Sequence, residues 1–505
     1  MEQANLDPPN EITLEQTTEA IKSLKTRKSC GPDNIPNEVF IKANTELREE
    51  YTRILNIIHK NQTLPEKWAE GEIKRIYKNK GIKGKCINER GITLASNFGK
   101  LYERIINKEA IKEVNMSDAQ AGGMEGRSTV DHLLILKELI NTNKENKQKT
   151  YLAFLDVTKA YDKAWLDAIM YVMEKEGLKS KLWTIIKKLN QNLTAKIKTK
   201  HGLTNSIKLK DSIRQGGVLS VVQYSLMMDE IAKEIKKENL GIQLPGQEEK
   251  IGCLLWVDDV VLMSSSKEEL QKMLDITNEI ANRYHLEFGK EKSQTMIING
   301  GRKKNEANEN FKLGNMTLDN TNKYKYLGEY INAKNNLDDQ LQTIRAKTEA
   351  AYQTIMLLAG DNNFREIEMK CIWRLLETCI TPILLYGSET WQLNKGQTKE
   401  VNRIYDNIIR RILKVPPTTP REALYMETGL LDPETMEKKR KLGMKSRLEE
   451  ESNNLLKQII DNTAEKGWST RIRKTMEQLE ISPDNLEGSK YAKKHLIKKK
   501  DKQIL

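Results

Sequence analysis

The sequence predicts an α/β half followed by a helical half. Three observations carry that reading. Short apolar runs rich in strand formers, YLAFLD (151–156) and IGCLLWVDDVVLM (251–263), lie in the first half. Alternation in TAKIKTK and SIKLK, around a Gly-containing loop, adds a hairpin. Beyond Leu337 apolar residues recur at helical spacing, with Leu341, Ile344 and Ala350 in one stretch and Val401, Ile404, Ile408 and Ile412 in another.

Taken in order, Thr13 with Gln16 has the spacing of a capping box, and Leu14, Ile21 and Leu24 continue a helix that Gly31-Pro32 is expected to end. Thr52 to His59 repeats the helical pattern, which Leu64-Pro65 breaks. The basic EIKRIYKNKGIKGK then reads as a strand and a mobile loop. Leu133, Leu136, Leu139 and Ile140 mark an amphipathic helix, with the polar NTNKENKQK as a surface loop after it. YLAFLD is a buried strand ending on Asp156, followed by a helix through Trp165, Ile169 and Val172. IGCLLWVDDVVLM reads as two apolar arms meeting at an acidic turn. An Asn- and Lys-rich break near residues 300 to 310 is a first candidate boundary, and the strand-like YKYLGEYI beyond it is expected to pack back on the first half. Pro416, Pro417 and Pro420 punctuate the helical part, and the lysine-rich SKYAKKHLIKKKDK reads as a solvated tail.

At 505 residues the chain is long enough for several domains or subdomains. With 38% hydrophobic and 31% charged residues it has the balance of a folded, water-soluble protein. The net charge of +13 favours a polyanionic partner, because Lys and Arg on phosphates release condensed counterions. Cys30, Cys86, Cys253, Cys371 and Cys379 are scattered without a C-x-x-C pair, which points to reduced intracellular thiols rather than a zinc site. No apolar h-region and no long apolar run is present, so neither secretion nor membrane insertion is expected. GIKGKC lacks the spacing of a P-loop.

Asp156 closes an apolar strand, and Asp258-Asp259 interrupts another apolar run. A buried carboxylate is costly unless a cation accompanies it. A hard divalent ion with oxygen ligands is the simplest such company, and two ions held by a few carboxylates are what phosphoryl transfer by polymerases requires. A solvated acidic turn is the plainer alternative for Asp258-Asp259, since Asp is common in turns.

AFLDVTKAYDKAW, IRQGGVLSVVQYSLMMDEI and LLWVDDVVLM, in this order, resemble the successive palm motifs of reverse transcriptases. SCGPDNIPNEVF and RGITLASNFGKLYERII resemble the fingers motifs, and QAGGMEGRSTVDHLLIL a block typical of non-LTR (LINE-like) retrotransposons. YKYLGEYI and LLYGSETW resemble later blocks of the same group. The resemblance runs from about residue 10 to residue 430. It implies a right-hand polymerase fold, with an N-terminal extension and fingers over 1–150, a palm over 151–335, a helical thumb over 336–430 and a basic helical extension over 431–505.

The resemblance also implies roles. Asp156, Asp258 and Asp259 match the catalytic, metal-holding carboxylates for two Mg²⁺ ions, with Mn²⁺ as a substitute. Tyr161 matches the aromatic gate against a ribose 2′-hydroxyl; Gln215 and Gly216 match the pair lining the nucleotide pocket. Arg90 and Lys78 match fingers residues on the triphosphate, and Lys292 a palm lysine near the pyrophosphate. The implied partners are an RNA template, a DNA primer or nicked target DNA, and deoxynucleoside triphosphates; with no endonuclease domain before the fingers, either a separate endonuclease nicks the DNA or the chain is a fragment of a longer open reading frame. The implied setting is intracellular, in cytoplasm and nucleus.

The sequence departs from the family pattern at Trp256, Val257, Arg214, Val221 and Gly91, none of them a metal ligand. A catalytically silent nucleic-acid-binding protein with the same fold is one alternative. An intron-encoded maturase-type reverse transcriptase is another, against which YLGEYI and LLYGSETW weigh.

Overall fold

The structure is a computed structural model that describes residues 10–79, 81–158, 160–161, 164–179, 181–209, 213–298, 309–358, 367–450, 454–462 and 467–478. The lysine-rich 489–502 segment, Lys159 and Asp162 of the AYD motif, and most of the polar break near 300 to 310 lie outside those residues.

Thr13 caps the Leu14–Lys22 helix through the box expected with Gln16. That helix ends at Ser23, well before Gly31-Pro32. Its continuation, Lys25 to Ser29, offers no apolar side chain to bury, and Arg27 turns the chain at φ 57. The second predicted helix spans Thr45–Asn61.

Strand β1 (Glu70–Tyr77) pairs antiparallel with β2 (Glu89–Leu94), matching Ile76 to Arg90. Strand β3 (Thr150–Asp156) follows the Thr129–Glu145 helix, which Ser128 and Asp131 cap as a box. That helix runs through Asn141–Glu145, where the polar composition predicts a loop. Asn143 is buried there and its amide donates to Lys149 O and Thr150 Oγ1, so a polar stretch is held in the fold by its own hydrogen bonds. Strand β4 (Thr194–Thr199) lies parallel to β1 and forms the expected hairpin with Ile207–Lys208.

The central sheet is built around β3. On one side stand β5 (Cys253–Trp256) and β6 (Asp259–Ser264), the two arms of the acidic hairpin. On the other stand β7 (Gln294–Ile298), β8 (Phe311–Leu313) and β9 (Met316–Asn320), giving the order β8-β9-β7-β3-β6-β5. The chain on both sides of the polar break thus belongs to one sheet, and the break near 300 to 310 is no domain boundary. Hydrogen bonding between β7 and β9 overrides what composition indicated. A separate hairpin of β10 (Lys323–Tyr326) and β11 (Glu329–Asn332) holds the YKYLGEYI segment.

Because β3 is covered on both faces, its residues from Tyr151 to Leu155 form a continuous hydrophobic run rather than alternating. Ala153 and Leu155 face a core shared with Tyr224, Met227 and Met228 of the Leu219–Lys237 helix. Leu152 and Phe154 face Leu136 and Leu139 of the Thr129–Glu145 helix. The same second core includes Leu442, Leu456, Ile459, Trp468 and Ile472, so the helices Pro433–Glu450, Asn454–Asn462 and Trp468–Gln478 return to the back of the sheet. Between them and the sheet in sequence lies a third core of helices, with Leu341, Ile344, Trp391, Tyr405, Ile408 and Ile412 inside it.

Candidate active site

The two-residue turn Val257-Asp258 joins β5 to β6, and Asp259 opens β6. Asp259 is the register partner of Asp156, the last residue of β3. Hydrogen bonding of the sheet therefore sets two acids side by side and a third on the adjoining turn. Burial, then repulsion from Asp258 and Asp156, pushes the Asp259 carboxyl up to about 6. Burial, then the charge of Asp156, raises Asp258 as well, against the opposing pull of Lys292 and Arg90.

Lys292 Nζ donates to both oxygens of Asp156, at 3.0 and 2.8 Å. The chain around Asp156 is pinned by Gly289 N–H on its carbonyl at 2.9 Å. Tyr161 is half-buried, its ring 5.6 Å from that of Tyr224, and its hydroxyl is pushed up to about 12 by burial and then by the charge of Asp258. Arg90 is exposed on β2 with its charge felt at Asp258. The three aspartates, Lys292, Tyr161 and Arg90 thus surround one end of the central sheet.

Gln215 and Gly216 stand against β2. Thr93 N–H donates to Gln215 O at 2.9 Å, and a Cβ on Gly216, whose φ is 114, would lie 3.0 Å from Thr93 O. Their contact is with the strand bearing Arg90. Lys78 follows β1, its backbone N–H donating to Asn88 O at 2.9 Å, and so sits at the same edge of the β1–β2 pair as Arg90.

Tyr324 was missed in the sequence reading, although it lies in YKYLGEYI. Its ring stacks on Phe154 at 4.2 Å and its hydroxyl donates to Lys292 O at 2.9 Å. Burial and the charges of Asp156 and Asp259 raise it. The alternating Tyr324 and Tyr326 were the available signal, for one face of a two-residue repeat must meet the sheet.

Among the described residues, no group of three or more His, Cys, Asp or Glu side chains stands close enough to hold a metal ion. At Asp156 both oxygens are engaged by Lys292. The donor chemistry nevertheless fits a hard divalent cation: all three side chains are carboxylates, and burial with the charge of neighbouring acids disfavours Asp258 and Asp259 as anions.

A mostly antiparallel sheet with paired acids at one end and helices behind it is the palm of a right-hand polymerase fold. The chain belongs to the reverse transcriptase (RNA-dependent DNA polymerase) family, whose model matches residues 76–331. Dependence on a divalent metal comes with that family in general. Among curated relatives it is similar to a probable RNA-directed DNA polymerase from transposon BS of Drosophila melanogaster, at 22% identity over 84% of this chain and 47% of the relative. It is also similar to the Pol polyprotein of the type-1 retrotransposable element R2 of Nasonia vitripennis, at 23% identity over 78% of this chain and 37% of the relative. The chain spans about half the length of the curated relatives it matches or less. Among solved structures, a telomerase from Candida Tropicalis in complex with a TWJ fragment of telomeric RNA aligns over 92% of this chain and 68% of that one, at 15% identity and a TM-score of 0.40.

Proposed function

We propose that this chain copies RNA into DNA as a retrotransposon-type reverse transcriptase, with nucleotidyl transfer at Asp156, Asp258 and Asp259. The observation that carries the reading is the register of β3 against β6, which sets Asp156 beside Asp259 with Asp258 on the adjoining turn. Asp156 and Asp258 would be the principal holders of two divalent ions, Mg²⁺ or in its place Mn²⁺, with Asp259 as the third carboxylate. Such ions, when bound, activate a primer 3′-hydroxyl and neutralise the leaving pyrophosphate.

The chain's own residues supply the rest. Arg90, and Lys78 at the same edge, offer cations to a triphosphate. The exposed backbone at Gly216 lets a nucleotide approach closely, with Gln215 beside it. Tyr161, held against Tyr224, closes the space a ribose 2′-hydroxyl would need. Lys292 can pass from Asp156 to the pyrophosphate once Asp156 has a metal partner, and there donate a proton. A template RNA and a DNA primer, or a nicked target strand, fit the chain's basic charge. We place the protein inside the cell, in cytoplasm and nucleus. No helix among the described residues is long and apolar enough to cross a membrane.

The second reading is a reverse-transcriptase fold that binds nucleic acid without polymerising. The engagement of both Asp156 oxygens by Lys292 favours it, because a ligand so occupied is not open to metal. Extension of oligo-dT on poly-rA with Mg²⁺, comparing wild type with Asp258→Asn, separates the two. Product from wild type alone supports polymerisation, whereas no more product from wild type than from Asp258→Asn, in Mg²⁺ and in Mn²⁺ alike, leaves binding only.

A further inference from the structure

We propose that Gln120 is a positioning residue for Asp258, acting through the turn that carries it; the proposal rests on the polymerase reading above. Residues 119–121 run alongside β5, joined to it by a single bridge. Leu255 N–H donates to Ala119 O at 2.9 Å, and Ala121 N–H to Leu255 O at 3.1 Å, with Gln120 and Leu255 in a parallel bridge. The Gln120 side chain is 1% exposed and its amide is used at both ends. Its Oε1 accepts from Val257 N–H and from Gly122 N–H, each at 3.0 Å. Its Nε2 donates to Ser225 O at 3.3 Å on the Leu219–Lys237 helix, while Ser225 Oγ donates back to Gly122 O at 3.1 Å.

Val257 is where this clamp matters. Its φ is 59, the left-handed region, which a β-branched side chain adopts only under constraint. The constraint is the Gln120 oxygen on its N–H, together with close packing by Gly122. A Cβ at position 122 would lie 2.4 Å from both Val257 N and Val257 Cγ2. Loss of the oxygen leaves a buried N–H without an acceptor and lets Val257 return to a negative φ. The next residue in the turn is Asp258, so that relaxation re-aims the carboxylate. The QAGG segment and the WVDD turn are thus one device, joined to the helix that follows the Gln215-Gly216 loop.

The test uses the full chain and two readouts: hydrogen exchange of a peptide spanning residues 253 to 262, and kcat for dTTP addition to oligo-dT on poly-rA with Mg²⁺. Gln120→Met keeps the volume and removes all three hydrogen bonds. We expect faster exchange in that peptide with the rest of the chain unchanged. We expect kcat to fall about 10- to 100-fold, the usual effect of removing a supporting hydrogen bond behind a metal ligand, with KM for dTTP nearly unmoved. Val257→Gly, at ease with positive φ, is expected to restore most of that loss in the Gln120→Met background. Gln120→Glu, which keeps both acceptances and gives up only the donation to Ser225, should hold the turn's protection and lie between wild type and Gln120→Met in kcat. Unchanged exchange in Gln120→Met, unchanged kcat, a loss that Val257→Gly does not lessen, or a Gln120→Glu chain no better than Gln120→Met overturns the proposal. A wild type that extends no primer overturns the polymerase reading instead, and exchange alone then decides whether Gln120 holds the turn.

Discussion

Lys292 grips Asp156 across the mouth of the site, its Nζ 3.0 and 2.8 Å from the two carboxylate oxygens. The lysine side chain is 64% exposed, so the pair is screened by water and adds little to stability. Its consequence is electrostatic, because the Lys292 charge opposes the upward shifts of Asp258 and Asp259 as well. Lys292→Ala should therefore leave the thermal midpoint within a few degrees, at a cost of about 1 kcal/mol or less. Primer extension should fall by at least about tenfold, with Lys292→Arg between the two. Calorimetry and extension rates on the same preparations check both halves.

The acid cluster is a cost to the metal-free fold. Asp259 is raised to about 6, above its unfolded value, so in the fold its ionised form is penalised at neutral pH and the penalty disappears as pH falls below about 6. Asp259→Asn should then make the metal-free protein more stable at pH 7, on the order of 1–2 kcal/mol. The gain should vanish near pH 4. Denaturant midpoints of the two proteins at pH 7 and pH 4 measure it.

His132 works in the opposite direction. It is wholly buried, edge-on to Trp256 at 5.7 Å, with Nδ1 3.4 Å from the Tyr326 hydroxyl and Nε2 unpartnered among the described residues. Burial, then the charge of Arg127, lowers it to about 3. A histidine with a depressed folded value takes up protons on unfolding, so stability present above about pH 6.5 is lost as pH falls toward 3. By pH 5 the loss should be about 2 kcal/mol. Urea titrations should show that slope in wild type and its absence in His132→Gln.

The helices that begin at Pro433 are bound to the Thr129–Glu145 helix by buried charge. Asp131 and Glu138, 0% and 1% exposed on the Thr129–Glu145 helix, pair with Arg447 and Arg471. Trp468 adds its backbone N–H to Glu138 Oε2 at 2.9 Å and its indole N–H to Glu389 O at 2.8 Å. Removing one partner of such a pair strands a buried charge at about 3–5 kcal/mol. Arg447→Ala and Arg471→Ala should each unfold at markedly lower urea. An Asp131→Asn, Arg447→Met double variant should recover much of the loss in the same titration.

Local signals in the sequence were the ones that could be read. The Thr13 cap, the apolar β3 and the acidic β5–β6 hairpin depend on neighbours along the chain, and each was visible from spacing alone. The end of the first helix was not, because nothing local marks where Leu14–Lys22 stops finding apolar partners. Nor was the Asp156–Lys292 pair, whose members are 136 residues apart. Arg447 and Arg471 counted toward a basic extension, yet their guanidinium groups serve acids buried on the Thr129–Glu145 helix. The left-handed Val257 was also hidden, since its residue type argues against the conformation that the Gln120 hydrogen bond holds.

The rate constant for adding a single dTTP to oligo-dT on poly-rA, at saturating Mg²⁺, tests the central claim most directly. Wild type should add the nucleotide. Asp156→Asn and Asp258→Asn, each without one of the two carboxylates proposed to hold the metal ions, should be slower by roughly a thousandfold or more, as for loss of a group that stabilises transferring charge. Addition by wild type no faster than by either variant would contradict the assignment of nucleotidyl transfer to these aspartates.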